Sequence, residues 1–177
     1  MNKVTQAIEN DSIATLKSLL EEGVDLNKPI LIGEEYDLEE YDEISPLFYA
    51  IRKYASLELI EFLLENGVDI HSTDSDGISA LDMAIKFKRK DLVKFCMDQG
   101  IDINTTARRS GILPLQLAAC FNDTEMIQML LDEGADINAT DASGMSAKDY
   151  ARKLGQKGVV EYLTKRGGRH NLYPEEG

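Results

Sequence analysis

A block of about 33 residues recurs along this chain, and a period of that length admits few folds. The clearest marker is a glycine–apolar–aspartate run that follows an apolar pair: LLEEGVDLN, LLENGVDIH, CMDQGIDIN and LLDEGADIN. Their glycines, Gly23, Gly67, Gly100 and Gly134, stand 44, 33 and 34 residues apart. A second marker keeps phase with the first. SPLFYA, SALDMA, LPLQLA and SAKDYA begin at Ser45, Ser79, Leu113 and Ser146, spaced 34, 34 and 33 residues. Two markers in fixed phase imply stacked supersecondary units, each too small to bury its own apolar face.

The chemistry of one unit can be read directly. Leu113, Pro114, Leu115 and Ala118 predict a short helix with proline in its first turn, where the missing N–H costs nothing. Ala118 and Ala119 let a neighbouring helix come close. Met126, Ile127, Met129, Leu130 and Leu131 follow the i, i+3, i+4 pattern of a second helix, which Gly134 ends as a C-cap residue. The stretch 136–144, with Asn138, Asp141 and Gly144, has the composition of a protruding loop.

These motifs resemble the ankyrin repeat, with DASGMSAKDYA, SGILPLQLAA and LLDEGADIN as near matches, over residues 2–168 or thereabouts. The resemblance implies an all-α solenoid of about five helix-turn-helix units with protruding loops. The units are placed at about 2–27, 45–71, 74–104, 108–138 and 141–168, forming a single domain with an acidic insertion at 28–44. Residues 169–177 follow as a flexible tail, because Gly167, Gly168 and Pro174 disfavour regular structure. The family's motif histidine is replaced by Phe48, Asp82, Gln116 and Asp149. The Thr–His hydrogen bond that tightens the family's helix start is therefore not expected, and stability is expected to be marginal.

Catalytic signatures are absent: no GxSxG, HExxH or phosphate loop occurs. Most carboxylates recur as the aspartate of GVD or GAD and read as turn caps and solvated faces. No enzymatic activity and no cofactor are expected. The histidines, His71 and His170, and the cysteines, Cys96 and Cys120, have no metal-ligand spacing, and no disulfide between those cysteines is expected. No apolar run approaches the ~18 residues that span a bilayer, and no leader pattern is present, so a cytoplasmic protein is expected.

The net charge of −13 argues against a nucleic-acid partner. Much of it is concentrated in the insertion, where Glu34, Glu35, Asp37, Glu39, Glu40, Asp42 and Glu43 face only Lys28. Acidic stretches of this kind are often solvated spacers. Here Tyr36 and Tyr41 are interleaved with the acids, the residue type favoured at interfaces, so a basic partner protein is one reading of this finger.

The resemblance places a second candidate surface on the concave groove and loop tips. Carried over position by position, it implicates Arg52, Lys53 and Tyr54, then Lys86 and Phe87, Cys120 and Phe121, and Lys153 and Leu154 on the inner helices. The tips contribute Ser75, Asp76 and Ile78, Arg108, Arg109 and Ile112, and Ser143 and Met145. Cations beside aromatic and aliphatic groups suit an acidic, partly apolar segment of a partner. The expected function is thus a protein–protein interaction module, an adaptor or scaffold working through the groove. The alternative is a stoichiometric inhibitor or immunity-type protein that blocks a basic toxin or enzyme through the finger. Closure of the groove by the finger or by the tail is a third, intramolecular reading.

Overall fold

Serine and proline open four of the inner helices and Asn2 the first, and glycine follows the outer ones. In the computed structural model, which describes residues 2–32 and 42–173, this punctuation yields five helix pairs among the described residues. The inner members are α1 (Lys3–Glu9), α3 (Pro46–Arg52), α5 (Ala80–Lys86), α7 (Pro114–Cys120) and α9 (Ala147–Lys153), each seven residues long. The outer members are α2 (Ile13–Glu21), α4 (Leu57–Glu65), α6 (Lys90–Asp98), α8 (Thr124–Asp132) and α10 (Lys157–Lys165), each nine residues long. Helices of two turns do not persist alone in water, so packing against neighbours supplies their stability. Two short strands, β1 (Ile30–Ile32) and β2 (Asp42–Ile44), pair antiparallel with Ile30 opposite Ile44.

The chain divides into two compact units at a repeat boundary, Met1–Ser72 and Thr73–Gly177, where the sequence suggested one domain. In the first, α1 packs on α2 and α3, and α3 on α4; in the second, α5, α7 and α9 pack side by side, and each also packs on its outer partner. The alanines of the second marker make that approach possible: Ala84, Ala118 and Ala151 are fully buried in the second unit, as Ala50 is in the first. The apolar stripes of the outer helices complete the core with Leu59 and Leu63 in the first unit, and Leu92, Met126, Leu130 and Leu163 in the second.

The recurring GxD run has a local cause. Gly23, Gly67, Gly100, Gly134 and Gly167 all take positive φ, between 86° and 95°, which suits glycine because it has no Cβ. The aspartate two residues on then folds an Asx turn: Asp25, Asp69, Asp102 and Asp136 each accept the backbone N–H two residues later at 2.8–2.9 Å. These carboxylates are turn caps, as their repetition implied.

The substituted motif histidine is not a missing interaction. Asp82 sits at the third position of α5, where its Oδ2 accepts the Ser79 N–H at 2.9 Å while Ser79 Oγ accepts the Asp82 N–H at 3.2 Å. Ser146 and Asp149 repeat the arrangement on α9. This reciprocal capping box satisfies two N–H groups that a helix start otherwise leaves unpaired. Gln116 closes α7 by accepting the Leu113 N–H at 2.9 Å, and its amide donates to the carbonyls of Ala139 and Met145 in the following repeat. Phe48 alone among the four carries no polar group, and there Ser45 caps α3 unaided.

Candidate functional site

Because α5, α7 and α9 lie side by side, their C-terminal residues recur at one level of the second unit. Those residues are Phe87, Phe121 and Leu154. Phe121 is 38 % and Leu154 52 % exposed, and Phe87 is half-buried with Lys86 Nζ 5.6 Å from its ring centroid. The next residue of each turn, Lys88, Asn122 and Gly155, has positive φ, so the chain reverses immediately and leaves the apolar side chain at the turn's edge. Lys86 and Lys153 are exposed and form no ion pair among the described residues. Cys120 lies half-buried beside Phe121, its thiol pushed up by burial against opposing contributions from Arg108 and Lys153.

Other expected contact residues are engaged internally. Met145 is buried, its N–H donating to Asp141 Oδ1 and its carbonyl accepting from Gln116, so it belongs to the core and not to a tip surface. Arg108 folds back until Nη1 lies 3.7 Å from the buried carboxylate of Asp82, making it a brace between repeats. Arg109 stays exposed, with its backbone N–H on the Asp76 carbonyl at 2.9 Å and Nη1 3.5 Å from the Asp76 carboxylate. Ile78 and Ile112 are half-buried beside these tips. The tips approach closely: a Cβ on Gly77 would lie 1.9 Å from the Ala107 carbonyl oxygen.

In the first unit, Arg52 is exposed and Tyr54 is 62 % exposed. Lys53 is not available to a partner's acid, because its Nζ lies 2.7 Å from Glu9 and 5.3 Å from the Tyr49 ring centroid. The hydrogen bond with Lys53, joined by one from Tyr49, lowers the Glu9 carboxyl, and Glu9 in turn raises Lys53. The acidic finger, including Tyr36 and Tyr41, lies outside the described residues except for its ends. Those ends form β1 and β2, a pairing with no signal in the sequence; Ile30 is buried and Leu31 is 42 % exposed. A cleft of about 450 Å³ beside β1 is lined by Lys3, Leu19, Glu22, Val24, Lys28 and Ile30 among others.

The tail also departs from expectation. Residues 169–173 lie against α9 and are not free. Asp149 Oδ2 accepts the N–H groups of Asn171 at 2.9 Å and Leu172 at 3.2 Å, and His170 Nδ1 lies 3.0 Å from Oδ1. A carboxylate only accepts, so Nδ1 carries the proton. Burial would raise the Asp149 carboxyl, but the N–H groups of Ser146, Asn171 and Leu172 outweigh it and hold it down at about 2. The missed signal was GGRHN. Gly167 and Asn171 keep the spacing of Gly134 and Asn138 one period later, and the backbone follows: Asn138 bonds Gly167 and Arg169 as Asn104 bonds Gly134 and Asp136.

Among the described residues, no three or more His, Cys, Asp or Glu side chains group as a metal site, and no helix is long and apolar enough to cross a membrane. Cys96 and Cys120 are free thiols, and burial pushes Cys96 up to about 12.

Stacked pairs of short helices, joined by tight turns and projecting tips, define a repeat-built class of helical proteins whose conserved geometry serves packing. A family model for ankyrin repeats in three copies matches residues 4–107 and 106–173, and the chain belongs to that family. The match runs through Tyr173 and so takes in the docked segment. No curated protein matches the chain. Ankyrin repeats are in general protein–protein interaction modules and typically not enzymes.

Proposed function

We propose that this protein is a non-enzymatic adaptor or scaffold that binds an acidic, partly apolar segment of another protein along the inner-helix ends of its second unit. The observation that carries this reading is the row of Phe87, Phe121 and Leu154, flanked by the unpaired cations Lys86 and Lys153 on a chain of net charge −13. Arg109, Ile78 and Ile112 extend the same surface to the tips. Apolar groups beside unpaired cations supply buried area at the centre and charge selection at the rim. The test uses the purified full chain as bait beside a Phe121→Glu/Leu154→Glu variant of equal melting temperature. A partner retained by the first and lost by the second supports the surface; equal retention removes it.

A second reading, inhibition of a basic protein through the acidic finger, draws support from the β1–β2 pair, which holds the two ends of a stretch with seven acids together. Shortening residues 28–44 to an ordinary repeat loop would then slow association and flatten its salt dependence, since exposed charges steer over about 10 Å at 0.1 M salt. Tighter binding after the deletion would instead mark the finger as a competitor for the groove. Unchanged rates at two salt concentrations would leave it a spacer.

A further inference from the structure

Two lines of side chains cross the inner-helix ends of the second unit. The last helical residues are Lys86, Cys120 and Lys153, and the residues that follow them are Phe87, Phe121 and Leu154. A cation therefore stands beside the first and third apolar groups, and a half-buried free thiol beside the middle one. The Lys86 ammonium lies 5.6 Å from the Phe87 ring centroid. Lys86 and Lys153 are both exposed and form no ion pair among the described residues. At the matching place in the first unit the chain has Lys53, which is held by Glu9 at 2.7 Å, so the pattern counts three apolar anchors.

Helix packing fixes the step between those anchors. The helices α5, α7 and α9 lie side by side with Ala84, Ala118 and Ala151 fully buried. Packed helices stand about 8–10 Å apart, nearer when small side chains meet, which gives a step of about 9 Å and a span of about 18 Å for three anchors. An extended strand returns a side chain to the same face every ~7 or ~13 Å, and neither matches. An α-helix does so at about 10.5 Å over seven residues, which overshoots the span by about 3 Å. A polyproline II segment has three residues per turn and a rise of about 3.1 Å, so every third side chain recurs on one face at about 9.3 Å. That conformation is also formed before binding and loses little entropy on docking.

We propose that the segment this surface takes from a partner protein is a polyproline II stretch with an apolar residue at every third position and an acid beside the first and third of them. This inference rests on the adaptor reading and adds the conformation and register of the bound segment. The two free lysines set where the acids fall, and Cys120 leaves the middle position uncharged.

The experiment measures fluorescence anisotropy of labelled synthetic peptides against the purified full chain. DLPPLPPLD carries the inferred spacing and charges. Adding one proline to each spacer, as in DLPPPLPPPLD, rotates successive leucines off the common face and should weaken binding about ten-fold or more. PLPDLDPLP keeps composition, net charge and leucine spacing but moves both acids to the middle, and should bind about five-fold more weakly. An alanine-based helical peptide with leucine at every seventh position should also bind at least about ten-fold more weakly than DLPPLPPLD. Equal binding of the wider-spaced, acid-shifted or helical peptide would overturn the proposal. So would failure of DLPPLPPLD to bind while a captured partner is still lost by Phe121→Glu/Leu154→Glu, a result that leaves the adaptor reading standing. Equal binding of DLPPLPPLD by that variant and by the unchanged chain would remove the surface itself, and both readings with it.

Discussion

Asp82 and Asp149 occupy the same position of the same helix in two repeats, and their surroundings differ. Both close a capping box with the serine three residues before. Beyond that shared duty, Asp82 faces one guanidinium at 3.7 Å, whereas Asp149 is wholly buried under the imidazole of His170 and the N–H groups of Asn171 and Leu172. A conserved local role thus leaves one carboxylate oxygen to be satisfied by whatever the next stretch of chain supplies. Where that is a full repeat, one side chain suffices. At Asp149 the His170 imidazole takes that place at Oδ1, while the N–H groups of Asn171 and Leu172 add to the capping-box oxygen Oδ2.

The scale for testing this difference comes from the core beneath both carboxylates. Leu130→Ala removes a fully buried side chain and is expected to cost about 2–5 kcal/mol; a melting temperature unchanged within error would show that Leu130 is not core. Next comes Asp149→Ala, which strands several buried donors at once. It is expected to cost about 3 kcal/mol, against about 1 kcal/mol for Asp82→Ala, where chiefly the cap is lost. Equal losses in denaturant melts would erase the distinction drawn between the two sites.

Acid titration sharpens it further. The Asp149 carboxyl is held at about 2 from an ordinary 3.8, so its contribution is fully present above about pH 4 and disappears as pH falls toward 2. The unchanged chain should lose about 2 kcal/mol through that group across the window. Asp149→Asn should flatten this part of the profile; an identical acid limb in both proteins would show that the hydrogen bonds do not favour the ionised form. The smallest effect on folding is expected for Phe121→Ala, because a 38 % exposed side chain at a helix end gives up little buried area. Its melting temperature should stay close to that of the unchanged chain while partner binding weakens, and a large drop would return Phe121 to the core.

Much of the fold was legible because the repeat imposes one physical demand at fixed intervals. A glycine is needed where φ is positive, an aspartate where an Asx turn follows, and alanine where inner helices touch. Gly134, Asp136 and Ala118 met those demands in plain view. The strands β1 and β2 were not legible, since three-residue runs carry almost no periodicity and their pairing spans an insertion. Met145 and Arg108 were read as exposed from their tip positions. Met145 is drawn in by its bonds to Asp141 and Gln116 and Arg108 by its reach to Asp82, while Arg109 and Ser143 beside them stay exposed.

By itself the sequence determined that this chain is a helical repeat protein of the ankyrin family and where its units turn, because those features depend on backbone conformation and on apolar spacing within about a dozen residues. Only the tertiary structure decided what lies across from each polar group. GGRHN begins 18 residues after Asp149, and nothing in either predicts the other until the α9–α10 pair folds back and sets the segment's N–H groups over the buried carboxylate. The same holds for the cations: their charges were countable from the outset, but which of them stay unpaired depends on where Glu9, Asp76 and Asp82 come to rest.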